Sequence, residues 1–71
     1  MHLNDFLDWA EEFCDGRLLY IFNTQRVLFV GALEDLPPIY KRKKIVDYSI
    51  SGYMLITPKE TKKILAIKLN Y

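Results

Sequence analysis

The stretch L-N-D-F-L-D-W-A-E-E-F-C-D at residues 3–15 decides the fold. Its apolar residues recur at three- and four-residue steps, the spacing that lines one side of a helix, and Trp9 lies beside this stripe. The stripe consists of Leu3, Phe6, Leu7, Ala10, Phe13 and Cys14. Asn4 is placed to cap the first turn, and Gly16 follows the last periodic residue, where a left-handed backbone ends a helix without a Cβ clash. The stretch predicts an amphipathic N-terminal helix.

The opposite side of this helix is acidic, and residues 1–16 contain no Lys or Arg. The acidic residues are Asp5, Asp8, Glu11, Glu12 and Asp15. Like charges three or four residues apart repel by roughly 0.2–0.5 kcal/mol per pair, and the last three lie near the negative end of the helix dipole. Two interpretations remain open: a solvent-exposed face partly neutralised by basic residues of the same chain, or a binding surface for a basic partner protein.

Composition predicts a single domain, 1–71, because 51% hydrophobic residues in a chain of 71 is typical of a globular protein. The net charge of +1 hides an asymmetry of −5 over residues 1–36 and +6 over residues 37–71. A single cysteine forms no intramolecular disulfide, and no apolar run approaches the roughly 20 residues that span a bilayer. With no basic region before an apolar core at the N-terminus, a cytoplasmic protein without membrane partners is expected.

After Gly16 the pattern changes to strands. Residues 17–22 and 26–30 are rich in β-branched and aromatic residues and flank a turn that begins at Asn23, which predicts a β-hairpin. Both faces of this hairpin are apolar, and one helix covers only one face. The other face therefore needs a loop, a second copy of the chain as a homodimer, or a partner.

Residues 32–42 form a connector, since Pro37 and Pro38 exclude a central strand, and the segment is long enough to cross from one sheet edge to the other. Residues 44–56 alternate as one long strand or as two strands joined at a bend near Gly52. A turn at 57–61 and an apolar strand at 62–69 complete a second hairpin. The predicted fold class is α+β, with an N-terminal helix packed on a four-stranded antiparallel sheet of two β-hairpins.

This order of elements, with V-L-F-V-G-A-L-E-D-L-P at residues 27–37, resembles small uncharacterised proteins of prophages and mobile elements in Gram-positive bacteria. Gly31 and the run Asp35-Leu36-Pro37 are the clearest part of the resemblance, whereas the doubled proline and the basic run at 41–44 depart from it. The resemblance implies binding to a host protein, including inhibition of a host defence protein. It transfers no catalytic residues.

The chain lacks the motifs that carry common enzyme chemistry. It contains no glycine-rich phosphate loop and no nucleophile elbow, and one His with one Cys supplies no zinc-type ligand set. Acidic pairs such as Asp8 and Glu12 share an exposed helix side, which offers no pocket to separate their pKa values for acid–base catalysis. We expect no enzyme activity, no cofactor and no metal site.

A second candidate site is the basic run with its flanking aromatic residue: Tyr40, Lys41, Arg42, Lys43 and Lys44. Clustered bases beside aromatics neutralise phosphates and stack on nucleobases, so this run predicts a nucleic-acid-binding module as the alternative function. Equally, the lysines could solubilise an exposed connector or lie against the acidic helix, and the near-neutral pI of 7.8 favours this. The preferred interpretation is a non-catalytic protein-binding module that contacts a basic host protein through the acidic helix face.

Overall fold

The computed structural model describes residues 1–10 and 16–71. Three short helical segments and five strands form in this part of the chain: α1 Leu3–Trp9, β1 Leu18–Phe22, β2 Val27–Gly31, a 3₁₀ turn Leu33–Asp35, α2 Pro38–Lys41, β3 Lys44–Ser49, β4 Tyr53–Thr57 and β5 Glu60–Asn70. The predicted α+β class with an N-terminal helix is confirmed.

The sheet is five-stranded and mixed, so the prediction of a four-stranded, purely antiparallel sheet is wrong. The strand order is β2-β1-β5-β3, with β4 also pairing with β5. Strands β1 and β5 are parallel, from Leu18 opposite Ile64 to Phe22 opposite Lys68, and the other pairs are antiparallel. As predicted, the connector crosses from β2 at one edge of the sheet to β3 at the other. Strand β3 runs in the same direction as β2, which is antiparallel to β1. Strand β5 is antiparallel to β3, and it therefore runs parallel to β1.

The fifth strand arises because the predicted run 44–56 is broken by a bend. Strands β3 and β4 pair with successive parts of β5 on either side of residues 50–52, near the predicted Gly52. The Ile64 N–H donates to the Gly52 carbonyl oxygen at 3.0 Å. A Cβ on Gly52 would lie 3.1 Å from Cγ1 of Ile64, so this close approach favours glycine. A bulge between Ile45 and Asp47 also interrupts the predicted alternation of this run, and Val46 is exposed.

The start of α1 differs from the predicted cap. The helix begins at Leu3, the N-cap is His2 without a side-chain hydrogen bond, and Asn4 lies inside the first turn. The chain before the helix is held beside β3, since the Leu3 N–H donates to the Lys43 carbonyl oxygen at 2.8 Å and the Ile45 N–H donates to that of Met1 at 2.9 Å. Tertiary hydrogen bonds thus set the start of this helix in place of a capping side chain.

The end of the predicted helix lies only partly within the described residues. Helix α1 is described to Trp9, and Ala10 follows as its C-cap with its N–H donating to the Phe6 carbonyl oxygen. Residues 11–15, with the predicted core positions Phe13 and Cys14, lie outside the described residues. Gly16 has a φ of +73°, the left-handed backbone that its position predicted.

The core lies between α1 and one face of the sheet. Its buried residues from the helix are Leu3, Phe6, Leu7 and Ala10, and those from the strands and connector are Leu19, Ile21, Leu36, Leu65, Ile67 and Leu69. Alternate residues of β1 point to the opposite face, where Leu18, Tyr20 and Phe22 are half-buried. The helix therefore covers one of the two apolar faces, as the sequence predicted. Across the described ranges, no helix has both the length and the apolar character needed to cross a membrane.

Candidate protein-binding surface

The outer side of α1 carries Asp5, Asp8 and Trp9, all exposed. These positions are exposed because the apolar stripe of Leu3, Phe6, Leu7 and Ala10 faces the sheet, and at 100° per residue the three other side chains project away from it. Trp9 keeps 58% of its surface exposed. An exposed Trp is informative, since this residue type is highly buried on average.

An aromatic cluster fixes Trp9 against the sheet. Tyr48 of β3 lies opposite Ile67 on the helix-covered face, and its ring centroid is 4.8 Å from that of Phe6 and 6.3 Å from that of Trp9. The rings of Phe6 and Trp9 are 5.7 Å apart. Phe6 is buried, with 3% exposure, while Tyr48 retains 46%. The cluster is thus anchored in the core at one end and open to solvent at the other. We name Asp5, Asp8, Trp9 and Tyr48 the acidic–aromatic surface.

Trp9 and Tyr48 were not identified as a pair by sequence reasoning. Trp9 appeared only as a neighbour of the apolar stripe, and Tyr48 only as part of the alternating run 44–56. One local signal was present, since Trp9 lies away from the centre of the stripe on a helical projection. No local pattern joins residues 39 positions apart, so their contact had to come from the tertiary structure.

The predicted acidic row is described for its first two members. Asp5 lies 3.9 Å from Nδ1 of His2, measured from its Oδ2 oxygen. Asp8 forms no ion pair within 4.0 Å to any described residue. Glu11, Glu12 and Asp15 lie outside the described residues. Asp5 and Asp8 therefore present carboxylates to solvent beside Trp9.

Part of the basic run lies next to these carboxylates. A shallow groove between α1 and the connector is lined by Asn4, Leu7, Asp8, Leu33, Glu34 and Lys41. A neighbouring groove is lined by His2, Asn4, Asp5, Lys41 and Arg42. Lys41 and Arg42 moderate the negative potential from the connector side, as the internal-neutralisation interpretation expects. Asp5 and Asp8 nevertheless remain exposed.

The remaining residues of the basic run have other neighbours. Tyr40 packs against the core, its hydroxyl donates to the Leu28 carbonyl oxygen at 3.4 Å, and its ring lies 6.0 Å from that of Tyr71. The Lys43 ammonium lies 4.4 Å from the centre of the Tyr71 ring, and Lys44 starts β3 opposite His2. The run is therefore distributed over several neighbours, and the ring of Tyr40 is occupied by internal contacts. The nucleic-acid interpretation stays a prediction.

No family model, no curated protein and no solved structure matches this chain. In the described part of the chain, no three His, Cys, Asp or Glu residues lie together in a way that could hold a metal ion.

Proposed function

We propose that this protein is a non-catalytic protein-binding module that recognises a partner with basic and apolar side chains through the acidic–aromatic surface. The observation that carries the proposal is the placement of two exposed rings, Trp9 and Tyr48, beside the carboxylates of Asp5 and Asp8. The predicted continuation of the acidic row through Glu11, Glu12 and Asp15 belongs to the same proposal.

The aromatic part supplies binding energy. Trp and Tyr are enriched among the few interface residues that dominate affinity, and they serve best when fixed before the partner arrives. Phe6 supplies that fixation here, because its buried ring contacts both exposed rings. Binding would remove apolar surface from water at little cost in side-chain ordering.

The carboxylates of the surface would orient the partner and raise the association rate. Exposed carboxylates form charge-assisted hydrogen bonds with Lys and Arg, and an acidic patch accelerates encounter with a basic protein. Salt screens exposed charges over about 8–10 Å, so the association rate should fall as ionic strength rises. A row of carboxylates also resembles a row of phosphates in charge, which suits a partner that binds nucleic acid.

Our more specific hypothesis concerns the biological role. The resemblance to prophage and mobile-element proteins favours an inhibitor of a host defence protein, acting in the bacterial cytoplasm by covering a basic surface of that protein. This role uses no residues beyond the acidic–aromatic surface and the acidic row. It predicts that the captured partner has a basic surface and loses nucleic-acid binding in the complex.

The test is affinity capture from nuclease-treated bacterial lysate, with the immobilised chain compared with two variants and quantified by mass spectrometry. Trp9→Ala removes the exposed ring and Asp8→Lys reverses one charge, and we expect each to reduce capture of the bound protein by about tenfold or more. Asp35→Lys is the matched control, because it makes the same charge change at an exposed residue of the 3₁₀ turn, and it should retain capture.

Melting temperatures of the same variants separate binding from folding. Asp8 forms no ion pair within 4.0 Å to a described residue, so Asp8→Lys should leave the melting temperature nearly unchanged or slightly raised. If the only role of the acidic face is to pair with Lys41 and its basic neighbours in the same chain, Asp8→Lys will instead lower the melting temperature and leave capture unaffected. Equal capture by the wild type, Trp9→Ala and Asp8→Lys would refute the proposed binding surface.

A further inference from the structure

Strand β4 and the first part of β5 form an arm, defined here as residues 53–63. The pairing runs from Tyr53 opposite Lys63 to Thr57 opposite Glu60, with Pro58 and Lys59 in the turn. Among the described residues, β4 pairs with no strand other than β5. Tyr53 and Leu55 are 65% and 66% exposed. A two-stranded ribbon with exposed apolar side chains is marginally stable in water, so this arm is suited to a covering partner.

One face of the arm continues the helix-covered face of the sheet, and the other continues the opposite face. Side chains of β5 alternate between faces, so Thr61 and Lys63 share the face of Leu65 and Ile67. Their cross-strand partners Leu55 and Tyr53 project on the same side. This is the face on which Tyr48 lies opposite Ile67. Met54 and Lys62 pair with each other on the opposite face.

This face of the molecule therefore carries a strip of exposed residues that is acidic on α1 and basic in the arm. Asp5 and Asp8 form the acidic end, followed by the rings of Trp9 and Tyr48. Beyond the bend at residues 50–52, Tyr53 and Leu55 continue the strip. Lys63 lies beside Tyr53, and Lys59 lies in the turn that closes the arm.

We infer that this strip is a self-association surface and that its occupant is a second copy of the chain. When two such strips pack in opposite directions about a two-fold axis, the basic arm of each copy meets the acidic–aromatic surface of the other. The same patch is used on both copies, as a two-fold interface requires, and both ends are matched in charge. A parallel arrangement would oppose like charges.

The dimensions suit this arrangement. Five residues of β4 at about 3.3 Å each give a ribbon about 17 Å long, and the seven residues of α1 at 1.5 Å each give about 10 Å. The arm is long enough to cross the exposed side of the helix. The inference uses the same acidic–aromatic surface as the proposed function, but it requires no partner of another kind. The arm and a basic partner would compete for that surface.

The test is sedimentation equilibrium of the purified, nuclease-treated chain over a range of concentrations and salt. We expect a monomer–dimer equilibrium whose dissociation constant rises with ionic strength. The double variant Lys59→Glu with Lys63→Glu should weaken dimerisation about tenfold or more. Lys62→Glu is the matched control, since it reverses a neighbouring lysine on the opposite face of the arm, and it should change the dissociation constant less than about twofold.

A charge exchange provides the decisive measurement. Asp5→Lys with Asp8→Lys should also dimerise poorly, because its basic arm then meets a basic surface. An equimolar mixture of the two double variants should form heterodimers, since both pairs of ends are again opposite in sign. A wild type that stays monomeric to about 1 mM, or a mixture that fails to associate, would overturn the inference. Either result leaves the proposed function standing, because that function is measured by capture of another protein.

Discussion

Strand β5 passes through two different environments within eleven residues. Residues 64–70 lie between β1 and β3 beneath α1, and Leu65 and Ile67 have no exposed surface. Residues 60–63 pair with β4 and are all exposed. Both parts pair with an antiparallel strand on one side, residues 66–70 with β3 and residues 60–63 with β4. The two parts differ because β1 pairs with the later part of β5 on its other side and α1 packs over that part. Together these neighbours remove its side chains from water.

Truncation of a buried side chain of α1 tests the buried part of β5 and has the largest expected effect. Phe6→Ala should lower the free energy of unfolding by about 3–5 kcal/mol, because it opens a cavity over the sheet and removes the ring that Tyr48 contacts. That loss is most of the stability available to a domain of this size. Urea unfolding followed by circular dichroism gives the value.

A Phe6→Ala protein that unfolds at nearly the wild-type urea concentration would mean that α1 does not cover this face of the sheet. Trp9→Ala is the appropriate control, since it removes an aromatic ring from the same helix at an exposed position. It should cost less than Phe6→Ala by a clear margin.

The junction between the two parts should respond with an intermediate effect. Gly52→Ala places a Cβ at 3.1 Å from Cγ1 and 3.3 Å from Cδ1 of Ile64, the residue where the buried part of β5 begins. Overpacking of this kind costs about 1–3 kcal/mol, and we expect the lower end because one neighbouring side chain can shift. Urea unfolding measures the loss, and unchanged stability would show that the bend does not depend on this close approach.

The exposed part should contribute least to folding. Leu55→Ala should change the free energy of unfolding by less than about 0.5 kcal/mol, measured at a concentration where the chain is monomeric, because the side chain is mostly in water already. Hydrogen exchange adds a residue-level check, with amides of residues 60–63 exchanging faster than those of 65–69. Equal protection along all of β5 in the monomer would contradict the contrast between its two parts.

Features encoded in neighbouring residues were predicted well. The buried positions Leu3, Phe6, Leu7 and Ala10 are confirmed, as are the apolar strand within residues 62–69 and the turn that begins at Asn23. The Asn23 side-chain oxygen accepts hydrogen bonds from the backbone N–H groups of Gln25 and Arg26, both at 2.8 Å, so this turn is stabilised locally. Such features depend on side chains a few positions apart and are visible as periodicity or turn chemistry.

The candidate site was predicted only in part. The acidic side of α1 follows from its three- and four-residue spacing, and Asp5 and Asp8 are exposed there. The addition of Tyr48 to that surface, and the internal contacts that occupy Tyr40, depend on how the two hairpins are placed. Neither could be derived from the basic run or from the alternation of the strands.

The amino-acid sequence by itself determined that a short amphipathic helix precedes two β-hairpins, that a proline-containing connector separates them, and that charge is divided between the two halves of the chain. Only the tertiary structure decided that β1 and β5 lie parallel, that β4 extends beyond the helix-covered sheet as an arm, and that Trp9 meets Tyr48. The physical reason is the range of the interactions. Periodicity and turn geometry act within a few residues, whereas strand order and surface assembly depend on which distant apolar faces exclude water together.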